Sequence, residues 1–208
     1  MVSGQQKQRK EIMTSREQIL EEVRKNQPPA VPLPDLSKFK GVTNNPSAEY
    51  SETFIGIGGK AIIVNDLSSI IPLIKEQFDT SKRIITTVSA LADTFEMYSK
   101  DADPHTFQDV ELAIISAHLA VVENGAVWVS EEVMGQRIIP FICQHLAVIV
   151  DASTIVPTMH EAYKKIGLGD YGFGAFIGGP SKTADIEQAL VMGAHGPISM
   201  TVFVVGQP

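Results

Sequence analysis

Apolar residues fall along the chain in short runs, and glycine, proline and acidic clusters bound most of them. The runs at 60–64, 83–88, 112–116, 125–129, 146–150, 175–177 and 200–205 each read as a strand. Several are apolar throughout rather than alternating, which is the pattern of a strand buried on both faces. Between them the apolar spacing switches to that of a helix. The spacing predicts helices over 67–78, opened by Asn65-Asp66, over 158–166, and over 184–192, where Ile186, Leu190 and Val191 share one face and Gly193 ends the pattern. A short helix ends within 51–57, residues 97–106 are polar and irregular, and 167–174 form a glycine-rich loop. Alternating strands and helices of this kind argue for an α/β fold, an open and mostly parallel sheet with helices on both faces. Ligands of such sheets collect at loops beyond the carboxyl ends of the strands.

The first residues are organised differently. Thr14 and Glu17 have capping-box spacing, and Ile12, Ile19, Leu20 and Val23 make a stripe too thin for a core helix. The proline-rich stretch 28–34 then acts as an extended spacer. The expected division is a helical arm with its linker over 1–34 and an α/β domain over 35–208.

Composition narrows the function. The chain has 208 residues, 44% hydrophobic and 20% charged, enough to bury a core without staples. A formal net charge of −7 argues against nucleic acid or an anionic membrane as the main partner. Cys143 is the sole cysteine, so this chain alone forms no internal disulfide and supplies no iron–sulfur ligand set. One thiol among apolar neighbours fits a reducing cytoplasm. The N-terminus has no signal-peptide pattern, and no apolar stretch is long enough to span a bilayer.

Chemistry concentrates near the end of the chain. A strand feeding Gly178-Gly179-Pro180, then Ser181-Lys182-Thr183 and a helix start, would gather free amides, a helix dipole and the Lys182 charge at one corner. That corner can seat an anion. It can equally be an ordinary turn with Thr183 as N-cap, because Asp185 and Glu187 already answer the dipole. It is neither a phosphate-binding GxxxxGK[ST] loop nor a GxGxxG turn. His195, in the following Gly196-Pro197 turn, is a candidate catalytic or ligand-contacting group, or a ring that fixes the turn. Glu123-Asn124-Gly125 offers a carboxylate for nucleophilic or base chemistry, or a plain turn. Arg137 can clamp a carboxylate or phosphate, or pair with Glu131 or Glu132. His145 abuts a buried strand, and the five histidines show no metal-binding spacing, so no metal is expected.

The run Gly179-Pro180-Ser181-Lys182-Thr183-Ala184-Asp185-Ile186-Glu187, followed by Gly193-Ala194-His195-Gly196-Pro197, resembles the signature of the LUD-domain (lactate-utilisation) family, closest to its stand-alone C-type subunits. Upstream, Val122-Glu123-Asn124-Gly125 stands where the family has an Ala-Glu-Thr-Gly turn, with Asn124 replacing the usual threonine. Arg137, Pro140 and His145 match its Arg…Pro…His segment, and Ile155-Val156-Pro157 its next helix start. The resemblance implies a fold similar to that of ribose-phosphate isomerases and CoA transferases. It also implies a role in oxidising L-lactate to pyruvate beside separate iron–sulfur subunits, with no cofactor in this chain. Gly179, Ser181, Lys182, Thr183, Asp185, Arg137, His145 and Gly196 are then the expected ligand contacts, and Glu123 and His195 the expected catalytic groups. Three readings follow. One is a cluster-free subunit of a lactate-oxidising system, with Arg137, Glu123 and His195 lining the Ser181–Thr183 corner. The second is an acyl-transfer or sugar-phosphate enzyme using Glu123. The third is a non-catalytic assembly module docking through the arm.

Overall fold

The structure, a computed structural model, describes residues 13–32, 34–36, 38–39, 41, 43–167, 169, 171–184 and 190–206. The chain divides into two units, Met1–Phe39 and Lys40–Pro208. In the first, α1 (Ser15–Lys25) starts at Thr14 through the anticipated capping box: the Thr14 hydroxyl accepts from the Glu17 amide, and the Glu17 carboxylate accepts from the Thr14 amide at 2.7 Å. Ile19, Leu20 and Val23 of the thin stripe are exposed. Ile12 lies outside the described residues.

The second unit runs α2 (Pro46–Gly56), β1 (Lys60–Val64), α3 (Ile70–Gln77), β2 (Arg83–Thr86), β3 (Glu96–Met97), β4 (Val110–Ser116), β5 (Leu119–Ala120) and β6 (Val127–Ser130). Then come α4 (Glu131–Met134), α5 (Ile139–Ile142), β7 (His145–Asp151), α6 (Met159–Ile166), β8 (Gly174–Ile177), β9 (Lys182–Ala184), β10 (Leu190–Met192) and β11 (Ser199–Val205). Six strands form one parallel sheet in the order β1-β11-β7-β4-β2-β3. The chain starts this sheet at one edge, crosses to the other with β2 and β3, and steps back through β4 and β7. The last strand, β11, fills the place beside β1.

Both faces of the sheet are covered, as the unbroken apolar runs require. On one face Val110, Ala113, Ile115, Leu146, Val148, Met200, Val202 and Val204 meet Tyr50 and Phe54 of α2 and Ile139 of α5. On the other, Leu112, Ile114, Ala147, Ile149 and Phe203 meet Ile70 and Ile74 of α3. Each valine, leucine, isoleucine, phenylalanine or methionine side chain among them, buried completely, contributes about 1.5–3 kcal/mol. Asn45 caps α2 by accepting from the Ala48 amide, and Asp66 receives the Ser69 amide in the turn that leads into α3. Gly59 is required by its surroundings: a Cβ there would sit 2.1 Å from the Phe54 ring.

Two small antiparallel sheets accompany the main one. β5-β6-β8 turns Val127 and Val129 toward the large core, while Leu119 and Trp128 pack with Ala162 of α6. β9 and β10 form a hairpin, Lys182 opposite Met192 and Thr183 opposite Val191. This corrects the helix expected over 184–192: both of its described ends are strand, and 185–189 lie outside the described residues. The reason lies in the flanks. The Gly193 amide donates to Ser181 O, and the Ser181 amide to Pro197 O. A nine-residue helix would hold its ends roughly 13 Å apart. An antiparallel pair brings them together, and Gly193 makes the exit at φ +78°.

Candidate functional site

β4, β7 and β11 begin side by side, and their first residues carry polar groups. In the register Ser199 lies opposite His145, which on its other side lies opposite Leu112. His145 Nδ1 is 2.7 Å from Ser199 Oγ, and Nε2 is 3.8 Å from Glu111 Oε1. The Glu111 carboxylate also accepts from Lys82 Nζ at 2.8 Å, a bond that holds the lysine ammonium above its ordinary pKa range. The Phe78 ring stands 5.5 Å from the imidazole. Gly58, Gly59, Lys60, Gln77, Asp79, Met200 and Thr201 complete a cavity of about 380 Å³ around the pair. Lys60 Nζ donates to Gln77 Oε1 at 2.7 Å. Lys182 Nζ donates to Ile57 O, which brings its ammonium against Gly58. An imidazole between a hydroxyl and a carboxylate can hold or pass one proton, and the nearby ammonium groups can balance a small anion. This cluster lies at the amino ends of the strands. The carboxyl ends were the expected place.

The expected site residues separate into groups. Ser181, His195 and Gly196 come together at the base of the hairpin: the His195 amide donates to Ser181 Oγ at 3.4 Å, and a Cβ on Gly196 would be 3.3 Å from Ser181 Cβ. Among the described residues no helix starts there, so none of them supplies the helix dipole expected at this corner. Thr183 is a strand residue rather than an N-cap. Gly179 adopts φ +81° against Ile57 O. Asp185 lies outside the described residues. Glu123 is exposed, and its Oε2 accepts from the Met159 amide at 2.8 Å, so this carboxylate faces the N-terminus of α6. Asn124 Oδ1 receives the Ala126 amide and closes the turn in which Gly125 takes φ +70°. Arg137 pairs with Glu131 and stacks over the Phe173 ring at 5.3 Å. Among the described residues, Glu123, Arg137 and Ser181 bond to separate partners.

Sequence reasoning found His145 and Lys182 but missed Ser199, Glu111 and Lys60. Each of these three is a polar residue at or beside the start of an apolar run, which was the available signal. Their meeting depends on strand order. Among the described residues no group of three or more histidine, cysteine, aspartate or glutamate side chains could hold a metal ion. Among them, too, no helix is long and apolar enough to cross a membrane.

The sequence profile of the LUD domain matches residues 71–205. Lactate utilization protein C of Oceanobacillus iheyensis is 30% identical over 104 residues, covering 47% of this chain and 45% of that protein. Lactate utilization protein C 1 of Bacillus mycoides is 31% identical over 112 residues, covering 51% and 48%. The Geobacillus kaustophilus lactate utilization protein C is 34% identical over 105 residues, covering 47% and 43%. The matched region spans about half the length of these curated relatives. A crystal structure of a DUF162 family protein from Deinococcus radiodurans has the same fold, with a TM-score of 0.61 at 14% identity over 77% of this chain and 96% of that one.

Proposed function

The chain belongs to the LUD-domain family, and from that premise we propose that it serves in the utilisation of L-lactate as a component that binds a small carboxylate and leaves electron transfer to iron–sulfur partner subunits. The observation that carries this reading is the match to several relatives named lactate utilization protein C. Its cysteine content supports the division of labour. Cys143, the sole cysteine, is buried, and burial pushes its thiol up to about 12, so it offers no thiolate to a cluster.

The cavity at His145 is the place we assign to the carboxylate. Lys60 lines it together with the Glu111 and Asp79 carboxylates, Lys182 brings its ammonium against Gly58 beside it, Ser199 Oγ supplies a hydroxyl, and His145 supplies a ring nitrogen next to that hydroxyl. An α-hydroxy acid presents a carboxylate and a hydroxyl on neighbouring carbons, which suits cations next to an imidazole–hydroxyl pair.

Growth tests the role. A strain lacking this protein should fail on L-lactate as carbon source, the wild-type gene should restore growth, and His145→Ala should restore it poorly. Calorimetry with purified protein should show lactate or pyruvate binding weakened about tenfold or more by His145→Ala. Normal growth of the deletion strain on lactate would remove the proposed role. Unchanged binding by the His145 variant would remove the site and leave the role standing.

A further inference from the structure

A second cavity opens at the other end of β4, the length of the strand, about 20 Å, from Glu111. His118 follows the last residue of β4 by two positions, and its amide donates to Trp128 O. Its ring Nε2 lies 2.7 Å from Ser130 Oγ. Ser130 is only 5% exposed and occupies the N-cap position of α4, yet its side chain makes no capping bond. A buried serine that leaves its own helix uncapped to meet a histidine has its hydroxyl directed toward the cavity wall rather than the backbone.

The cavity measures about 360 Å³, within the general range of small-molecule pockets, about 300–1000 Å³. One wall is aromatic: Trp128 meets Tyr171 edge to face, with ring centroids 5.4 Å apart. Glu132 and Lys165 line the same space. Among the described residues neither belongs to an ion pair. A simple anion would meet Glu132, and a simple cation would meet Lys165. A ligand that carries both charges satisfies both residues. The position, beyond the carboxyl end of a central parallel strand, is where open α/β sheets hold their ligands.

We propose that this cavity is a second small-molecule site, for a zwitterion with a flat apolar body, the chemistry of an aromatic amino acid. The ring lies against Trp128 and Tyr171, the carboxylate faces Lys165, the ammonium faces Glu132, and the His118–Ser130 pair closes the polar side. The site is distinct from the His145 cavity and does not depend on the role in lactate utilisation.

Trp128 is the sole tryptophan, so tryptophan-selective fluorescence of the whole chain reports on this cavity directly. L-phenylalanine, phenethylamine and phenylpropionate, which are silent at that excitation, serve as the zwitterionic, cationic and anionic probes. L-phenylalanine should change the emission saturably and bind at least about tenfold more tightly than either truncated probe. Lys165→Met should reduce L-phenylalanine to the affinity of phenethylamine while leaving phenethylamine itself unchanged. Glu132→Gln should do the same relative to phenylpropionate. Both residues are exposed on helices, so the variants should melt as the parent does. The absence of a saturable change, equal binding of the three probes, or unchanged L-phenylalanine affinity in both variants would overturn the proposal. None of these results bears on growth on lactate.

Discussion

Single residues here divide into those whose state is fixed by burial and those fixed by local hydrogen bonds. Cys143 belongs to the first kind: 1% exposed, with its thiol pushed up to about 12, it should not react with iodoacetamide near neutral pH until the protein is unfolded in urea. Mass spectrometry before and after unfolding checks this. Asp151 belongs to the second kind. The Ser153 hydroxyl at 2.6 Å, and then the Ser153 amide at 2.8 Å, hold its carboxyl below the ordinary range. A carboxyl with a lowered native pKa stabilises the fold at pH values above its unfolded pKa, and that contribution is lost as pH falls through the native value. Ser153→Ala should therefore lower the melting temperature at neutral pH. The gap from the parent should close as the solution is acidified below the carboxylate range. A gap that widens with acid would contradict the assignment.

Elements depend on contacts that their own sequences do not contain. Gly59 leads from α2 into β1 because the Phe54 ring occupies the space a side chain would need. Gly59→Ala should cost about 1–3 kcal/mol by overpacking, read as a shift in the urea midpoint with the slope unchanged. α6 has two acceptors at its start, Thr158 for the Glu161 amide and Glu123 for the Met159 amide. Glu123→Ala should lower the melting temperature by a few degrees, while Glu123→Gln, which keeps an acceptor oxygen, should lower it less. The strands were legible because each is a short apolar run with clear ends: β1 was read with its observed bounds, and β4, β7 and β11 to within two residues. The β9–β10 hairpin was not legible. Its apolar spacing also fits a helix, and the bonds that decide between the two join Ser181 to Gly193 and Pro197.

At the scale of the molecule, the first buried side chain among the described residues is Ser47, so the core they form lies within the second unit. Removing residues 1–39 should leave the melting temperature of the remainder within a few degrees of the full chain, and a large drop would show that the arm contributes to the core. The two cavities lie at opposite ends of β4, and each gathers residues that are remote in the chain. His145 and Ser199 are 54 positions apart, and Lys182 and Ile57 are 125 apart. By itself the sequence determined most of the element types, the parallel sheet buried on both faces, the capped arm, and the residues that mark the LUD family. These follow from periodicity and turn chemistry, which act between near neighbours. Only the tertiary structure decided the strand order, the hairpin, and which polar side chains share a cavity. Covering both faces of the sheet selects one arrangement of strands, and that arrangement sets beside His145 a serine and a glutamate that no local pattern connects to it.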